Sequence, residues 1–305
     1  MITITHILCP VDFSECSRRA LDQASTLARW YDARVTVLHV YPPPPITAAA
    51  TFEVGGPGTP VPVPDVDLAA LEAEVRAFMG EAFAGVAVEV RLRTAPSAHR
   101  EILDVVSALD IDLLVMGSHG RTGFERLFLG SVAEKVLRSA TCPVMIVPAH
   151  GEGHPARALT TSGHVLCPVD FSDGSLAALE YALSLAEEGD ATLTLLHVIP
   201  IPPELAAHFP RAADVDRVRA EAEADALRQL RALVPETARQ YCTVESRAVI
   251  GSPAHEIERE AAGRPADLIV MGVQGRGTLD RLVFGSTTER VVRGARCPVL
   301  VLRAR

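Results

Sequence analysis

The most distinctive pattern in this sequence is a set of three glycines and a serine that occurs twice. In each set, two residues separate the first two glycines, and nine residues separate the second glycine from a Gly-Ser pair. The sets are Gly117, Gly120, Gly130 and Ser131, and Gly272, Gly275, Gly285 and Ser286. Glycines have no Cβ, so the backbone N–H groups of such a turn can approach an anion closely. The pattern predicts two phosphate-binding turns.

Each Gly-Ser pair stands where a predicted helix begins, and an arginine follows each second glycine. The first N–H groups of a helix carry the positive end of its dipole and suit a phosphate, and the serine hydroxyl adds a donor. Arg121 and Arg276 are candidate phosphate ligands, the alternative being loop arginines that face solvent. The glycine pattern also has an alternative interpretation, in which the glycines only shape a long loop. The identical spacing in two diverged copies favours phosphate binding over this alternative.

Two aspartates, Asp12 and Asp170, follow the same string, Cys-Pro-Val, at the ends of predicted strands. Open α/β sheets bind ligands beyond the carboxyl ends of their strands, so each aspartate is expected to face a glycine turn there. It can accept hydrogen bonds from a ribose or hold a metal ion near phosphates. The alternative is a residue that only stabilises the turn beside Ser14 or Ser172.

Val40 and Val198 end the second predicted strand of each copy, where backbone N–H and C=O groups can bind an adenine edge. That role is inferred from position alone. The sequence contains no GxxxxGK[ST] phosphate loop, no HExxH motif and no GxSxG elbow. We find no nucleophile–base pair and assign no catalytic residue.

The chain is an internal duplication. Residues 6–40 align without a gap on 164–198 with 20 identities in 35 positions, and 111–147 align on 266–302 with 18 identities in 37. A period near 150 residues is that of a duplicated domain. We therefore predict domains at 1–148 and 163–305, joined by a polar linker at 149–162.

Apolar β-rich runs alternate with helical patterns in both halves, which predicts two doubly wound α/β domains in tandem. Each domain is expected to have a five-stranded parallel sheet flanked by helices. The predicted strands are 6–11, 34–40, 86–92, 111–117 and 143–148, then 164–169, 192–198, 243–249, 267–271 and 298–302. The first predicted helix begins at Ser14. The other predicted helices cover 67–83, 97–109 and 131–139 in the first half, and 173–187, 214–233, 253–262 and 286–293 in the second.

Composition limits the classes of function. The chain has 305 residues, 48% of them hydrophobic, and a formal net charge of −9. This balance argues against a general binder of nucleic acid or anionic membranes, which needs an excess of lysine and arginine. The sequence shows no secretory leader, no apolar run long enough to span a membrane, and no CxxC pair among its six cysteines. We expect a cytoplasmic protein that binds neither nucleic acid nor a membrane.

The repeated strings resemble the universal stress protein family, the UspA superfamily, with two complete domains in tandem. The resemblance covers nearly all of both halves, through LCPVDFS, LHV, VMGxxGRxxxxRLxxGS and CPV. The glycine spacing resembles that of the ATP-binding branch of the family. The resemblance implies strand order 3-2-1-4-5 in each sheet, and pairing of the two domains through their fifth strands.

By the same resemblance, each half would bind one ATP, with Mg²⁺ or Mn²⁺ as the accompanying metal ion. The implied ligands are Asp12, Val40, Gly117, Gly120, Gly130 and Ser131 in one half, and Asp170, Val198, Gly272, Gly275, Gly285 and Ser286 in the other. Members of the family are associated with survival under stress. We therefore expect an ATP-dependent regulatory switch with an unidentified protein partner, and a homodimer as a further option. The alternative is a slow metal-dependent ATPase or phosphoryl transferase that uses the same sites.

The halves differ most after their second strands. Residues 41–65 are rich in proline and glycine, whereas the corresponding segment, 199–214, is shorter. Both segments leave the expected ligand edge of the sheet, so each can act as a lid. We do not expect the two sites to bind equally.

Overall fold

A computed structural model describes residues 2–43, 66–120, 129–149, 163–200, 212–273 and 285–303. Most of the segments 41–65 and 199–214, nearly all of the predicted linker, and the candidates Arg121, Gly275 and Arg276 lie outside the described residues.

In the first half the strands are β1 (His6–Val11), β2 (Arg34–Tyr41), β3 (Val88–Thr94), β4 (Leu113–Gly117) and β5 (Val144–Val147). Its helices are α1 (Glu15–Tyr31), α2 (Leu68–Met79), α3 (Ala98–Ala108) and α4 (Ser131–Ser139). In the second half the strands are β6 (His164–Pro168), β7 (Thr192–Ile199), β8 (Thr243–Ile250), β9 (Leu268–Gly272) and β10 (Val299–Leu302). Its helices are α5 (Asp173–Gly189), α6 (Ala212–Ala232), α7 (Pro253–Gly263) and α8 (Ser286–Gly294).

All ten strands form one sheet, in the order β3-β2-β1-β4-β5-β10-β9-β6-β7-β8. Each half has the expected order 3-2-1-4-5, and its strands are parallel. The halves join through β5 and β10, which pair antiparallel with Leu300 opposite Met145. The expected α/β fold and the pairing of the fifth strands are therefore both present.

The helices cover the two faces of the sheet and bury one apolar cluster on each. Leu21 of α1 and Leu179 of α5 belong to the cluster on one face, together with residues of α2 and α6. Val136 of α4 and Val291 of α8 belong to the other, together with residues of α3 and α7. Each cluster contains residues of both halves, so the core is continuous across the β5–β10 pair.

Several element boundaries differ from the sequence-based expectation by one to four residues, and α2 and β4 are two of these elements. Helix α2 ends at Met79 because Gly80 follows with φ of 58°, a left-handed conformation that favours glycine. Strand β4 begins at Leu113, two residues later than expected, and Asp112, just before it, bonds the start of β1. Its Oδ2 accepts hydrogen bonds from the N–H groups of Thr5 and His6, at 2.8 and 3.0 Å.

The β5–β10 pair generates the first prediction. Met145 and Leu300 are 2% and 1% exposed, so Met145→Asp places an uncompensated charge in the shared core. We expect the free energy of unfolding to fall by about 3 kcal/mol or more, as for other severe core substitutions. Leu68→Asp, at a position 51% exposed, is the control. Equal denaturation midpoints for the two variants would contradict this account of the interface.

Candidate functional site

A cavity of about 310 Å³ lies at the carboxyl ends of β1 and β4. Strand β1 has β2 on one side and β4 on the other, so the connections from these strands leave in opposite directions and open a crevice between them. The cavity is lined by Pro10, Val11, Asp12, Ser17, Leu38, Val40, Ala98, Ile102, Met116, Gly117, Ser118, His119, Gly120, Gly130, Ser131, Val132 and Ala133. The structure thus brings together all the described first-half residues that the sequence pointed to.

The Asp12 carboxylate is held in a fixed orientation at the cavity wall. Its Oδ1 accepts hydrogen bonds from Ser14 N–H at 3.1 Å, Ser14 Oγ at 2.5 Å and Ser17 Oγ at 2.9 Å. Its Oδ2 lies toward the glycine turn, only 2.5 Å from where a Cβ on Gly120 would stand. Any side chain at residue 120 would therefore displace the carboxylate. Asp12 thus stabilises its own turn, as the alternative reading expected, and its role toward a ligand stays a prediction.

The residue after each aspartate has a left-handed backbone, with φ of 64° at Phe13 and 61° at Phe171. This conformation is costly for a bulky residue and persists where the surroundings enforce it. The Phe13 ring packs on the His39 ring at 4.7 Å, and His39 Nδ1 is 2.8 Å from the carbonyl oxygen of Val11. The strand histidine therefore supports the turn that presents Asp12.

The second half repeats this support, with Phe171 on His197 at 4.7 Å and His197 Nδ1 2.6 Å from the Val169 oxygen. Sequence reasoning did not assign this role to the phenylalanines. The available signal was the recurrence of Asp-Phe-Ser and Leu-His-Val in both halves.

The glycine turn closes onto the start of α4. The Gly130 N–H donates to the Ser118 oxygen at 2.8 Å. A Cβ on Gly130 would lie 3.1 Å from that oxygen and 3.3 Å from His119 Cα, so the fit is tight. No side chain caps α4, whereas Ser14 caps α1 through Ser17 N–H. The first N–H groups of α4, at the cavity wall, are thus available to an anion.

Gly117 has a structural role that the spacing alone did not indicate. A Cβ there would stand 2.6 Å from Cys16 Cβ and 2.9 Å from the Cys16 carbonyl carbon, so its absence lets α1 approach the end of β4. Gly272 faces Gly174 in the same way, at 2.7 Å. Burial raises the pKa of the Cys16 thiol, consistent with a packing role for this residue.

Apart from Asp12, Ser17, Ser118, His119 and Ser131, the side chains that line the cavity are apolar. Leu38, Ile102 and Met116 form its inner surface, and Val40 lies at the end of β2 beside them. The lining therefore combines the uncapped start of α4, a fixed carboxylate and apolar side chains.

The second half keeps the frame of the site but differs in detail. Asp170 Oδ1 accepts from Ser172 N–H and Oγ, and Gly285 N–H donates to the Val273 oxygen at 3.0 Å. No side chain caps α8, which begins at Ser286. The Thr288 hydroxyl donates to the Gly272 oxygen at 2.8 Å, where the first half has Ala133. Val198, near the carboxyl end of β7, is nearly buried.

The described residues contain no group of three or more His, Cys, Asp or Glu side chains that could hold a metal ion by themselves. None of the described helices is long and apolar enough to cross a membrane.

The model of the universal stress protein family matches this chain twice, over residues 3–148 and 161–303. The chain belongs to the universal stress protein family. A universal stress protein of Mycolicibacterium smegmatis is 27% identical over 305 residues, covering 98% of this chain and 97% of the relative. One from Methanocaldococcus jannaschii is 32% identical over 140 residues, covering 46% of this chain and 81% of the relative.

Among solved structures, a universal stress protein from Archaeoglobus fulgidus has the same fold. It aligns with a TM-score of 0.64 and 23% identity, over 99% of this chain and 97% of that one. This universal stress protein therefore shares its tandem architecture with a full-length relative and its fold with a solved structure.

The contact at Gly117 generates the second prediction. Gly117→Ala should lower the free energy of unfolding by about 1–3 kcal/mol, the usual cost of overpacking, even without a ligand. Gly263→Ala is the matched control, because a Cβ there meets nothing within 4 Å. Urea titrations of the ligand-free proteins measure both values. A Gly117→Ala variant as stable as the wild type would show that this glycine serves the ligand alone.

Proposed function

We propose that each half of this universal stress protein binds one ATP, and that nucleotide occupancy switches the protein between states that a regulatory partner distinguishes. The observation that carries the proposal is a cavity lined both by the uncapped start of α4 and by apolar side chains. The family's ATP-binding branch, which the glycine spacing resembles, supports the same reading. The domain limits 1–148 and 163–305, the cytoplasmic location and a homodimer stay predictions.

The phosphates would bind at the closed glycine turn. Gly120 and Gly130 leave no room for side chains there, and the N–H groups of Ser131 and the following residues lie at the cavity wall. Backbone donors on a helix start favour an anion without a lysine. Arg121 and Arg276 stay candidates for further phosphate contacts, as does Gly275 for the turn of the second half.

The Asp12 carboxylate would face the middle of the nucleotide. Three donors already hold its Oδ1, so the orientation of Oδ2 is set before ligand binds. From this position it can accept a ribose hydroxyl, or complement phosphate oxygens around Mg²⁺ or Mn²⁺. Asp170 has the corresponding place in the second half.

The adenine ring would bind against the apolar side chains of the lining. Leu38, Ile102 and Met116 supply apolar contact surface, and the end of β2 at Val40 supplies backbone polar groups. Val198 ends β7 at the corresponding position. A pocket with an apolar interior and few polar groups is the usual form of a small-molecule site.

The third prediction is a change in stoichiometry. Gly130→Val fills the tight space beside Ser118 and His119 and should reduce bound ATP from two molecules per chain to one. Gly285→Val should do the same, and the double variant should bind none. Gly263→Val, at an open position, is the control. Calorimetric titration measures the number of sites, and two intact sites in either single variant would contradict the assignment.

The fourth prediction concerns turnover. Helix-start and backbone donors bind ground-state phosphate, which tightens affinity without lowering a reaction barrier. We expect hydrolysis well below the ~1–100 s⁻¹ of kinases. Residual hydrolysis should need Mg²⁺ or Mn²⁺ and fall in Asp12→Ala and Asp170→Ala. Turnover above about 1 s⁻¹ that is lost on mutating a residue outside both sites would favour the enzyme reading instead.

A further inference from the structure

Helices α4 and α8 begin at Gly130-Ser131 and Gly285-Ser286, the two proposed phosphate-binding positions, which we call the phosphate cradles. The two helices carry the same charge pattern. Each has a glutamate in its first turn and an arginine in its last turn. Arg138 Nη2 is 2.9 Å from Glu134 Oε1, and Arg293 Nη2 is 2.5 Å from Glu289 Oε1. Each helix therefore pairs its own two charges along one side.

These pairs meet across the boundary between the halves. Arg138 Nη2 is also 4.0 Å from Glu289 Oε2 on α8. The guanidinium of Arg303, directly after β10, donates to the Arg138 carbonyl oxygen and fixes the end of α4 to the second half. Glu134, Arg138, Glu289 and Arg293 thus form one row of alternating charges, which we call the charge row.

The two glutamates of the charge row each lie close to the cradle of their own helix. Glu134 N–H donates to the Gly130 oxygen, and Glu289 N–H to the Gly285 oxygen, each at 2.9 Å. One helical turn, about 5.4 Å, therefore separates each glutamate from its cradle. This is shorter than the screening length of about 8 Å in physiological salt. The side chains are only 30–40% exposed, which limits screening further.

We propose that the charge row couples the two nucleotide sites, so that ATP in one half weakens binding in the other. Phosphates at α4 add negative charge beside Glu134 and attract Arg138. The Arg138 guanidinium interacts with both Glu134 and Glu289. Glu289 then loses part of its compensation, and the cradle at α8 becomes less favourable to an anion. The coupling is reciprocal because it is a difference in binding free energy.

The expected effect is modest. Partly exposed ion pairs change an equilibrium constant by up to about five-fold. We therefore expect the second ATP to bind two- to five-fold more weakly than two independent sites would allow. The effect should decrease in about 0.5 M salt because screening shortens the reach of each charge.

The inference rests on the proposed function, and calorimetry with ATP can separate the two. The product of the two binding constants of the wild type is compared with the product of the single-site constants of Gly130→Val and Gly285→Val. Independent sites give a ratio of 1, and the charge row predicts about 0.2–0.5. Adding Arg138→Gln to all three proteins should return the ratio to about 1. Arg76→Gln, which removes the Arg76–Glu72 pair on α2, is the control and should leave the ratio unchanged.

Each other outcome overturns a defined part of the account. A wild-type ratio of 1 or more, with two bound ATP, contradicts the coupling and leaves the proposed function intact. A ratio below 1 that Arg138→Gln does not change contradicts the route through the charge row. Failure of the wild type to bind ATP contradicts the proposed function, and the coupling with it.

Discussion

The antiparallel pairing of β5 with β10 is the interaction on which the rest of this structure depends. It joins two parallel sheets into one and makes both cores continuous across the boundary. Because all other pairings are parallel, the carboxyl ends of the strands in the two halves point in opposite directions. Asp12 in the first half and Asp170 in the second therefore lie at opposite edges of the sheet, while α4 and α8 meet between them. One short strand pair thus sets the distance between sites that the sequence places 155 residues apart.

Three glycines, each of which lets a neighbouring group approach closely, organise the first-half site. At Gly117 the missing Cβ admits α1, at Gly120 it admits the Asp12 carboxylate, and at Gly130 it admits the Ser118 carbonyl. The three glycines share a sequence pattern, yet only the latter two shape the space that we assign to phosphates. The left-handed turn at Phe13, supported by His39, then aims the aspartate at the same space. Packing and ligand geometry are therefore set by the same few contacts.

Much of the fold was predictable from local patterns. Helix α4 occupies the predicted range because its glycine start and apolar spacing are local signals, whereas α2 ended early at Gly80. The periodicity indicated parallel sheets, but the strand order came from the family resemblance, because alternation does not determine which strands are neighbours. The contact of Gly117 with Cys16 and the left-handed Phe13 were not predictable. The first joins residues about 100 positions apart, and the second is a conformation that phenylalanine rarely adopts.

The central claim is that each half of this universal stress protein holds one nucleotide. Native mass spectrometry of the purified wild-type chain, before and after addition of excess ATP, tests it most directly, because it counts bound molecules without a mutation. The account predicts masses of the 32.6 kDa chain with one and with two bound nucleotides, and the doubly bound form dominant at saturation. A chain that stays ligand-free, or never carries more than one nucleotide, would contradict the claim.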